Sequence, residues 1–221
     1  MFENLDKYCE RITNSFWDEP FNAISNIAFI LAAISITRFL AQTSLKPGRE
    51  FWDIYALIGL LFLVGIGSFA WHLTAQVWAL YVDIIPILVF ISLFLMSFLY
   101  HILHWSWQKI LMVILVYQAF NIGIQIIFGS ELFNGSLFYL PTFVFFCVLS
   151  AVLLQTQKNL GRQYINLCIL LAVALGFRTA DIVACDGLPV GTHFVWHILT
   201  AFMLYKLTQS LILYRLHRVS K

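Results

Sequence analysis

The sequence predicts an all-α membrane protein, a single-domain bundle of seven transmembrane helices. Of its 221 residues, 61% are hydrophobic and only 11% are charged, less than half of the about 25% charged that is usual in soluble domains. The mean hydropathy is +0.86, and the apolar residues fall into runs near the roughly 20 residues that a transmembrane helix needs. This composition excludes a disordered chain, a coiled coil and an ordinary soluble enzyme. The net charge of +2 gives no argument for nucleic acid as a partner.

Seven apolar runs are the expected membrane spans, and short polar connections separate them. In order, the spans cover residues 21–41, 51–71, 77–100, 108–128, 137–154, 164–183 and 194–213. The first ends before a polar stretch that contains Pro47 and Gly48, and the fifth ends before Gln155-Thr156-Gln157-Lys158-Asn159. We therefore expect an N-terminal segment over residues 1–20, a helix bundle over residues 21–214 and a basic tail over residues 215–221.

The distribution of Lys and Arg predicts the orientation, because cytoplasmic loops carry an excess of these residues. With seven spans, ten of them fall on one side of the membrane, and only Lys7 and Arg11 fall on the other. The C-terminus is then cytoplasmic and the N-terminus is outside or lumenal. The expected membrane is the bacterial inner membrane, or that of the ER or Golgi in a eukaryote.

Ionisable side chains inside the spans are few, and they gather at one depth. Each such Asp, Lys or Arg costs at least roughly 2.5–3.5 kcal/mol on insertion scales, so it needs a partner or a function. The candidates, all toward the outer face, are His72, Asp83, Arg178, Asp181, His193 and His197. Arg178 and Asp181 are three residues apart on one helix face, which favours an internal ion pair. His101, His104 and His217 fall at the opposite face and are interpreted as interfacial.

The spacing of the histidines predicts a metal site. His193 and His197 are four residues apart, so both imidazoles point to one face of a helix, and His72 supplies a third nitrogen. Three neutral imidazoles leave the fourth tetrahedral position of Zn²⁺ for a water, whose pKa falls to about 7. Asp83 can take a proton from that water, and Ser68, one helical turn before His72, can stabilise an oxyanion.

These residues resemble the motifs of the alkaline ceramidases, part of a superfamily of seven-helix membrane hydrolases that includes the adiponectin-receptor-like proteins. The motifs are Gly67-Ser68-Phe69-Ala70-Trp71-His72, then Asp83 and Pro86, then His193-Phe194-Val195-Trp196-His197. Tyr8-Cys9-Glu10, the run from Glu19 to Asn26 and the run from Asp181 to Cys185 also resemble family motifs. The resemblance covers nearly the whole chain. It implies zinc on His72, His193 and His197, with Ser68 and Asp83 beside it, and hydrolysis of the ceramide amide bond to a fatty acid and a sphingoid base.

The resemblance also implies a disulfide between Cys9 and Cys185, whereas Cys147 and Cys168 lie within spans and are expected to pack. Some family members bind calcium through acidic residues of the N-terminal segment. The candidates here are Asp6, Glu10 and Glu19. Lys7 stands where those members have an acid, and a positive charge opposes a hard dication, so a calcium site is doubtful here unless the adjacent Asp6 substitutes.

The leading hypothesis is a zinc amidohydrolase that acts on a membrane lipid, either ceramide or another N-acyl lipid; no protein partner is inferred. One alternative is a receptor or sensor of the same superfamily with a structural zinc. A second is a haem-binding membrane protein. A weaker third alternative is an intramembrane serine protease, because Gly65-Ile66-Gly67-Ser68 resembles the motif of that class, although the order of the motifs differs.

Overall fold

A computed structural model describes residues 7–13, 15–43, 48–129 and 132–219, and every regular element in this part of the chain is a helix. Seven long helical segments follow one another, which confirms the all-α fold and the helix count. They are α1 (Pro20–Ser25) continued after Asn26 by α2 (Ile27–Ala41), α3 (Trp52–Thr74), α4 (Val77–His101), α5 (Trp107–Phe128), α6 (Leu140–Thr156), α7 (Lys158–Ala184) and α8 (His193–Val219).

Six of these segments are long and apolar enough to cross a membrane, so the chain is a multi-pass membrane protein. The seventh, α8, is longer than most but less apolar, because Lys206 and Gln209 interrupt its apolar residues. It lies inside the bundle, where it contacts α2, α3, α4 and α7. Polar residues on a central helix can face other helices rather than lipid.

The predicted start of the sixth span is six residues too late. Only Gln157 separates α6 from α7, which begins at Lys158 rather than at residue 164. The hydropathy of the first turns is low, but Lys, Arg and Gln are good helix formers outside the apolar layer. Gly161 allows this tight connection, because a Cβ at that position would overlap the backbone of Leu153 and Leu154.

A buried ionic cluster joins three helices at one end of the bundle. We call this end the Asp53 end, and the opposite end, where the paired histidines of α8 lie, the histidine end. The Asp53 carboxylate accepts hydrogen bonds from Ser97 Oγ at 2.6 Å and from Arg215 Nη1 at 2.8 Å. His101 Nε2 lies 3.4 Å from the same carboxylate. Arg215, expected to begin the basic tail, thus lies in α8 and ties it to α3 and α4. His104 and His217 are exposed at this end.

Near the histidine end α3 packs closely on α4, and this close packing depends on Gly67 and Pro86. Pro86 lies inside α4 and has no N–H, so the carbonyl of Val82 loses its helical hydrogen bond. Gly67 packs directly against that carbonyl oxygen, which a Cβ would overlap. This close contact between the two helices places Ser68 and His72 of α3 near Asp83 of α4.

We predict that Gly67→Ala destabilises the protein, because the methyl group cannot fit against Val82 without moving α4. Overpacking of this kind costs about 1–3 kcal/mol, so the thermal unfolding midpoint in detergent should fall by several degrees. Gly59→Ala on the same helix is the matched control, because its added Cβ meets no neighbouring atom within 4 Å. Equal midpoints for the two variants would contradict this account of the α3–α4 contact.

Candidate metal centre

Three buried imidazoles converge at the histidine end. His72 lies in the last turn of α3, and His193 and His197 lie in the first two turns of α8. One ring nitrogen from each residue lies within 4.8 Å of the others, and the residues are between 1% and 3% exposed. The Nε2 atoms of His72 and His197 are 3.2 Å apart. The structure thus brings together all three histidines that the sequence selected.

The hydrogen bonds of two of these rings fix which nitrogen carries the proton. His72 Nδ1 lies 2.5 Å from the Glu19 carboxylate, which can only accept. His197 Nδ1 lies 2.7 Å from Ser25 Oγ, and the Ser25 hydroxyl donates its own proton to the carbonyl of Asn22 at 2.7 Å. Both Nδ1 atoms are therefore donors, and both Nε2 atoms present lone pairs to each other. Two facing lone pairs repel unless a cation lies between them.

The donor set fits zinc. Zn–N bonds of 2.0–2.1 Å in a tetrahedron place ligand nitrogens roughly 3.3 Å apart, close to the 3.2 Å between the Nε2 atoms of His72 and His197. His193 stacks on the Tyr8 ring, with centroids 4.0 Å apart, and its Nδ1 is buried without a hydrogen-bond partner. Three nitrogens that converge on one point suit a single ion better than the two opposed axial positions of a haem.

Glu19 holds the metal-facing orientation of His72 and joins it to the N-terminal segment. Its carboxylate also accepts hydrogen bonds from Arg11 Nε at 2.6 Å and from Asn22 Nδ2 at 3.1 Å. Burial acts to raise the pKa of Glu19, but the neighbouring His72 and Arg11 hold that pKa below its usual range. An ionised carboxylate behind a ligand histidine is the usual outer partner of zinc sites.

Glu10 and Glu19, two of the predicted calcium ligands, have other roles in the structure. Glu10 accepts hydrogen bonds from the backbone N–H groups of Phe21 and Asn22, at 2.7 and 2.9 Å, and so caps the start of α1. Burial raises the pKa of Glu10. Both carboxylates are thus engaged by protein donors. Asp6 lies outside the described residues, and calcium binding stays a prediction.

The predicted ion pair between Arg178 and Asp181 is wrong. Asp181 is fully buried and accepts hydrogen bonds from the backbone N–H groups of Cys9 at 3.0 Å, Thr192 at 2.6 Å and His193 at 2.8 Å. It therefore caps the N-terminus of α8 and fixes the position of the two histidines there. Gly191, with φ +63°, packs on the Asp181 carboxylate in a space that a Cβ would overlap.

A disulfide joins the N-terminal segment to the end of α7 beside this cap. It links Cys9 to Cys185, whose Cα atoms are 5.4 Å apart. Because the backbone N–H of Cys9 also donates to Asp181, the N-terminal segment is fastened to α7 by two adjacent contacts. Cys147 and Cys168 form no disulfide. Cys168 is buried against Ser150, as expected, whereas Cys147 is exposed, so the prediction that it packs inside the bundle is wrong.

Ser68 and Asp83 line a cavity of about 260 Å³ together with His193 and His197. The side chains of Ser68 and Asp83 interact, and the Oδ1 atom of Asp83 is buried without a hydrogen-bond partner. From the histidines the cavity continues toward the middle of the bundle, where its walls are apolar. These walls include Phe90, Phe94, Phe146, Leu204 and Leu207. The arrangement places a proton acceptor and a hydroxyl beside the imidazoles, with an apolar chamber below them.

Comparison with known proteins supports the resemblance found in the motifs. The protein-family model described as Ceramidase matches residues 6–221. No curated protein matches the chain. The matched region includes the three histidines, Ser68, Asp83 and both linked cysteines.

We predict that Glu19→Gln weakens metal binding about 10–100-fold, the usual cost of losing the outer partner of a ligand histidine. The amide keeps the shape of the side chain but removes the charge that orients His72. Asp18→Asn is the matched control, because the hydrogen bonds of Asp18 to described residues go to Ile12 and Thr13 in an exposed turn. Zinc affinity is measured on purified protein by competition with a chelator. An unchanged affinity in Glu19→Gln would remove Glu19 from the metal centre.

Proposed function

The chain belongs to the ceramidase family, and we propose that it is a zinc-dependent membrane amidohydrolase. Its reaction is hydrolysis of the amide bond of ceramide, or of a related N-acyl lipid, to a free fatty acid and an amine such as a sphingoid base. One observation carries this proposal: three buried imidazoles have convergent nitrogens, and two of them, His193 and His197, line an apolar cavity together with Asp83, one of whose carboxylate oxygens has no partner in the described part of the chain. Such a cavity combines a metal centre with space for an acyl chain.

His72, His193 and His197 are the proposed zinc ligands. A zinc ion bound by three histidines polarises a carbonyl oxygen and lowers the pKa of a water to about 7. The protein prepares this site through the protonation of its ligands. Glu19 and Ser25 hold the Nδ1 protons of His72 and His197, so that both Nε2 lone pairs face the ion without rearrangement.

Asp83 and Ser68 are the proposed catalytic residues. Asp83 Oδ1 has no partner in the protein, so it is free to take a proton from the attacking water and to deliver that proton to the departing nitrogen. Ser68 donates its hydroxyl to the substrate carbonyl oxygen as negative charge develops there. In sum, one water adds across the C–N bond, giving a carboxylic acid and an amine.

The apolar part of the cavity is the proposed binding site of the acyl chain. It extends from His197 to Leu207 along α8, which is about 15 Å at 1.5 Å per residue. The bilayer core is as apolar as these walls, so an acyl chain can pass from the bilayer into the site without exposure to water, and its fit to the walls holds it there. The aromatic rings of Phe90, Phe94 and Phe146 give this chamber its shape.

We further propose that the histidine end faces the outside or the lumen, and that the Asp53 end faces the cytoplasm. The excess of Lys and Arg at the Asp53 end supports this orientation. The disulfide of Cys9 and Cys185 at the histidine end agrees with it, because disulfides persist in oxidising compartments. A bacterial inner membrane, or the ER or Golgi of a eukaryote, has the required asymmetry.

We predict that His197→Ala loses both zinc and hydrolysis, because two imidazoles hold the ion too weakly. His104→Ala is the control, since His104 is exposed at the Asp53 end. Zinc is measured by metal analysis, and fatty-acid release is measured on a panel of ceramides and other N-acyl lipids. Zinc without turnover of any N-acyl lipid would favour a receptor, and a Soret band would favour a haem protein.

Zinc content and hydrolysis measured on the Asp83→Asn variant separate a role in the reaction from a role in metal binding. This variant should retain zinc but lose about 10²–10⁴-fold in kcat, the usual contribution of a general acid–base residue. Loss of zinc in Asp83→Asn would place Asp83 among the groups that support the metal instead. Full activity would exclude it from the reaction.

The orientation predicts opposite labelling of two introduced cysteines by a membrane-impermeant thiol reagent on intact cells. Ile12→Cys, at a position 83% exposed near the histidine end, should react. Lys158→Cys, at the exposed start of α7, should react only after the membrane is opened. The parent protein serves as the blank for Cys147. The reverse pattern would invert the orientation.

A further inference from the structure

Arg178 lies in the catalytic cavity, and the activity proposed above does not use it. Its guanidinium carbon lies 5.9 Å from the ring centroid of Tyr8 and 5.5 Å from those of Tyr139 and Trp196. Three aromatic faces around one cation stabilise its charge. The residue belongs to α7 and lines the same cavity as Asp83, His193 and His197.

The Tyr8 side chain forms a hydrogen bond with the guanidinium of Arg178, but not all donors of Arg178 are matched by acceptors in the described part of the chain. In the described part of the chain no carboxylate lies within salt-bridge distance of its guanidinium. Its Nε atom is buried and has no hydrogen-bond partner. Asp181, three residues later, is occupied by three backbone N–H groups. A guanidinium carries five donors, and the carboxylate of Asp83 acts on this half-buried cation only from beyond salt-bridge distance.

The aromatic residues around Arg178 place it at the polar end of the cavity. Tyr8 stacks on His193, and Trp196 adjoins His197 on α8. The apolar chamber runs in the other direction, toward Phe94 and Leu207. When the acyl chain fills that chamber and the amide lies at the histidines, the amine part of the lipid lies toward Arg178.

We propose that Arg178 binds an anionic oxygen group on the amine part of the substrate. A carboxylate close to the amide nitrogen, as in an N-acyl amino acid, is the simplest group of this kind, because its two oxygens match the fork of a guanidinium. This inference rests on the proposed amide hydrolysis and adds the charge of the substrate to it. The guanidinium is then a substrate-binding group, and the three rings hold it in place.

The test compares three lipids with the same acyl chain on purified, zinc-loaded protein. N-oleoylglycine carries the carboxylate on the amine part, N-oleoylethanolamine is neutral there, and oleate is the fatty-acid product. Binding is measured without turnover, by titration of the Asp83→Asn protein, and kcat and KM are measured on the active protein. The variants are Arg178→Met and Arg178→Lys, with Arg162→Met as the control for loss of an exposed charge on the same helix.

We expect Arg178→Met to weaken N-oleoylglycine binding about 10–100-fold and to raise its KM by a similar factor, the usual effect of losing a charged hydrogen bond. Binding of N-oleoylethanolamine and the kcat for either substrate should change little. Arg178→Lys should give a smaller loss, again only with N-oleoylglycine. Arg162→Met should leave all values unchanged, and zinc content and thermal midpoint should match the parent in every variant.

Equal losses for the two N-acyl lipids would overturn the proposal, since Arg178 would then act only through Asp83 or through the fold. A loss confined to oleate would also overturn it and would assign Arg178 to the product. If Arg178→Met does not fold, the same comparison with Arg178→Lys decides between these outcomes. Binding that depends on Arg178 without any turnover would leave this inference standing while the proposed hydrolysis fails.

Discussion

The Glu19 carboxylate is the contact on which the histidine end depends. It joins Arg11 of the N-terminal segment, Asn22 of α1 and His72 of α3, and it is almost completely buried. In an apolar bundle such a charge is tolerated only when cations and donors surround it. The same carboxylate holds the proton on His72 Nδ1, which leaves Nε2 for a metal. One carboxylate therefore couples the position of the N-terminal segment to the orientation of His72.

Asp181 has the corresponding role for the other two ligands. Its oxygens accept the backbone N–H groups that begin α8, and a negative charge at a helix N-terminus is favourable. It also accepts the N–H of Cys9, next to the disulfide. One carboxylate thus orients His72, a second fixes His193 and His197, and the N-terminal segment contacts both. The three histidines are positioned by groups that lie far from one another in the sequence.

These separations explain what the sequence predicted and what it did not. The spans and the ligand histidines follow from local patterns, namely apolar runs and the four-residue spacing of His193 and His197. A local rule of the same kind, the three-residue spacing of Arg178 and Asp181, predicted an ion pair between them, and that prediction was wrong. Asp181 bonds to Cys9, 172 residues away, and Arg178 lies among aromatic rings from three parts of the chain. Arg215 and Asp53 are 162 residues apart, and no local pattern pairs them.

Contacts at both ends of the bundle link α3 to α8. At one end Arg215 bonds to Asp53, and at the other the imidazoles of His72 and His197 meet. The two contacts on α3 are 19 residues apart, or about 28 Å along the helix. If α3 slides along α8, the buried bond of Arg215 to Asp53 breaks and His72 moves away from His197. The contact at the Asp53 end therefore also bears on the geometry of the histidines, and catalysis by positioned groups depends on such geometry. By contrast, α5 packs on α4, on residues 136–139 and on α6, and it carries none of the three histidines.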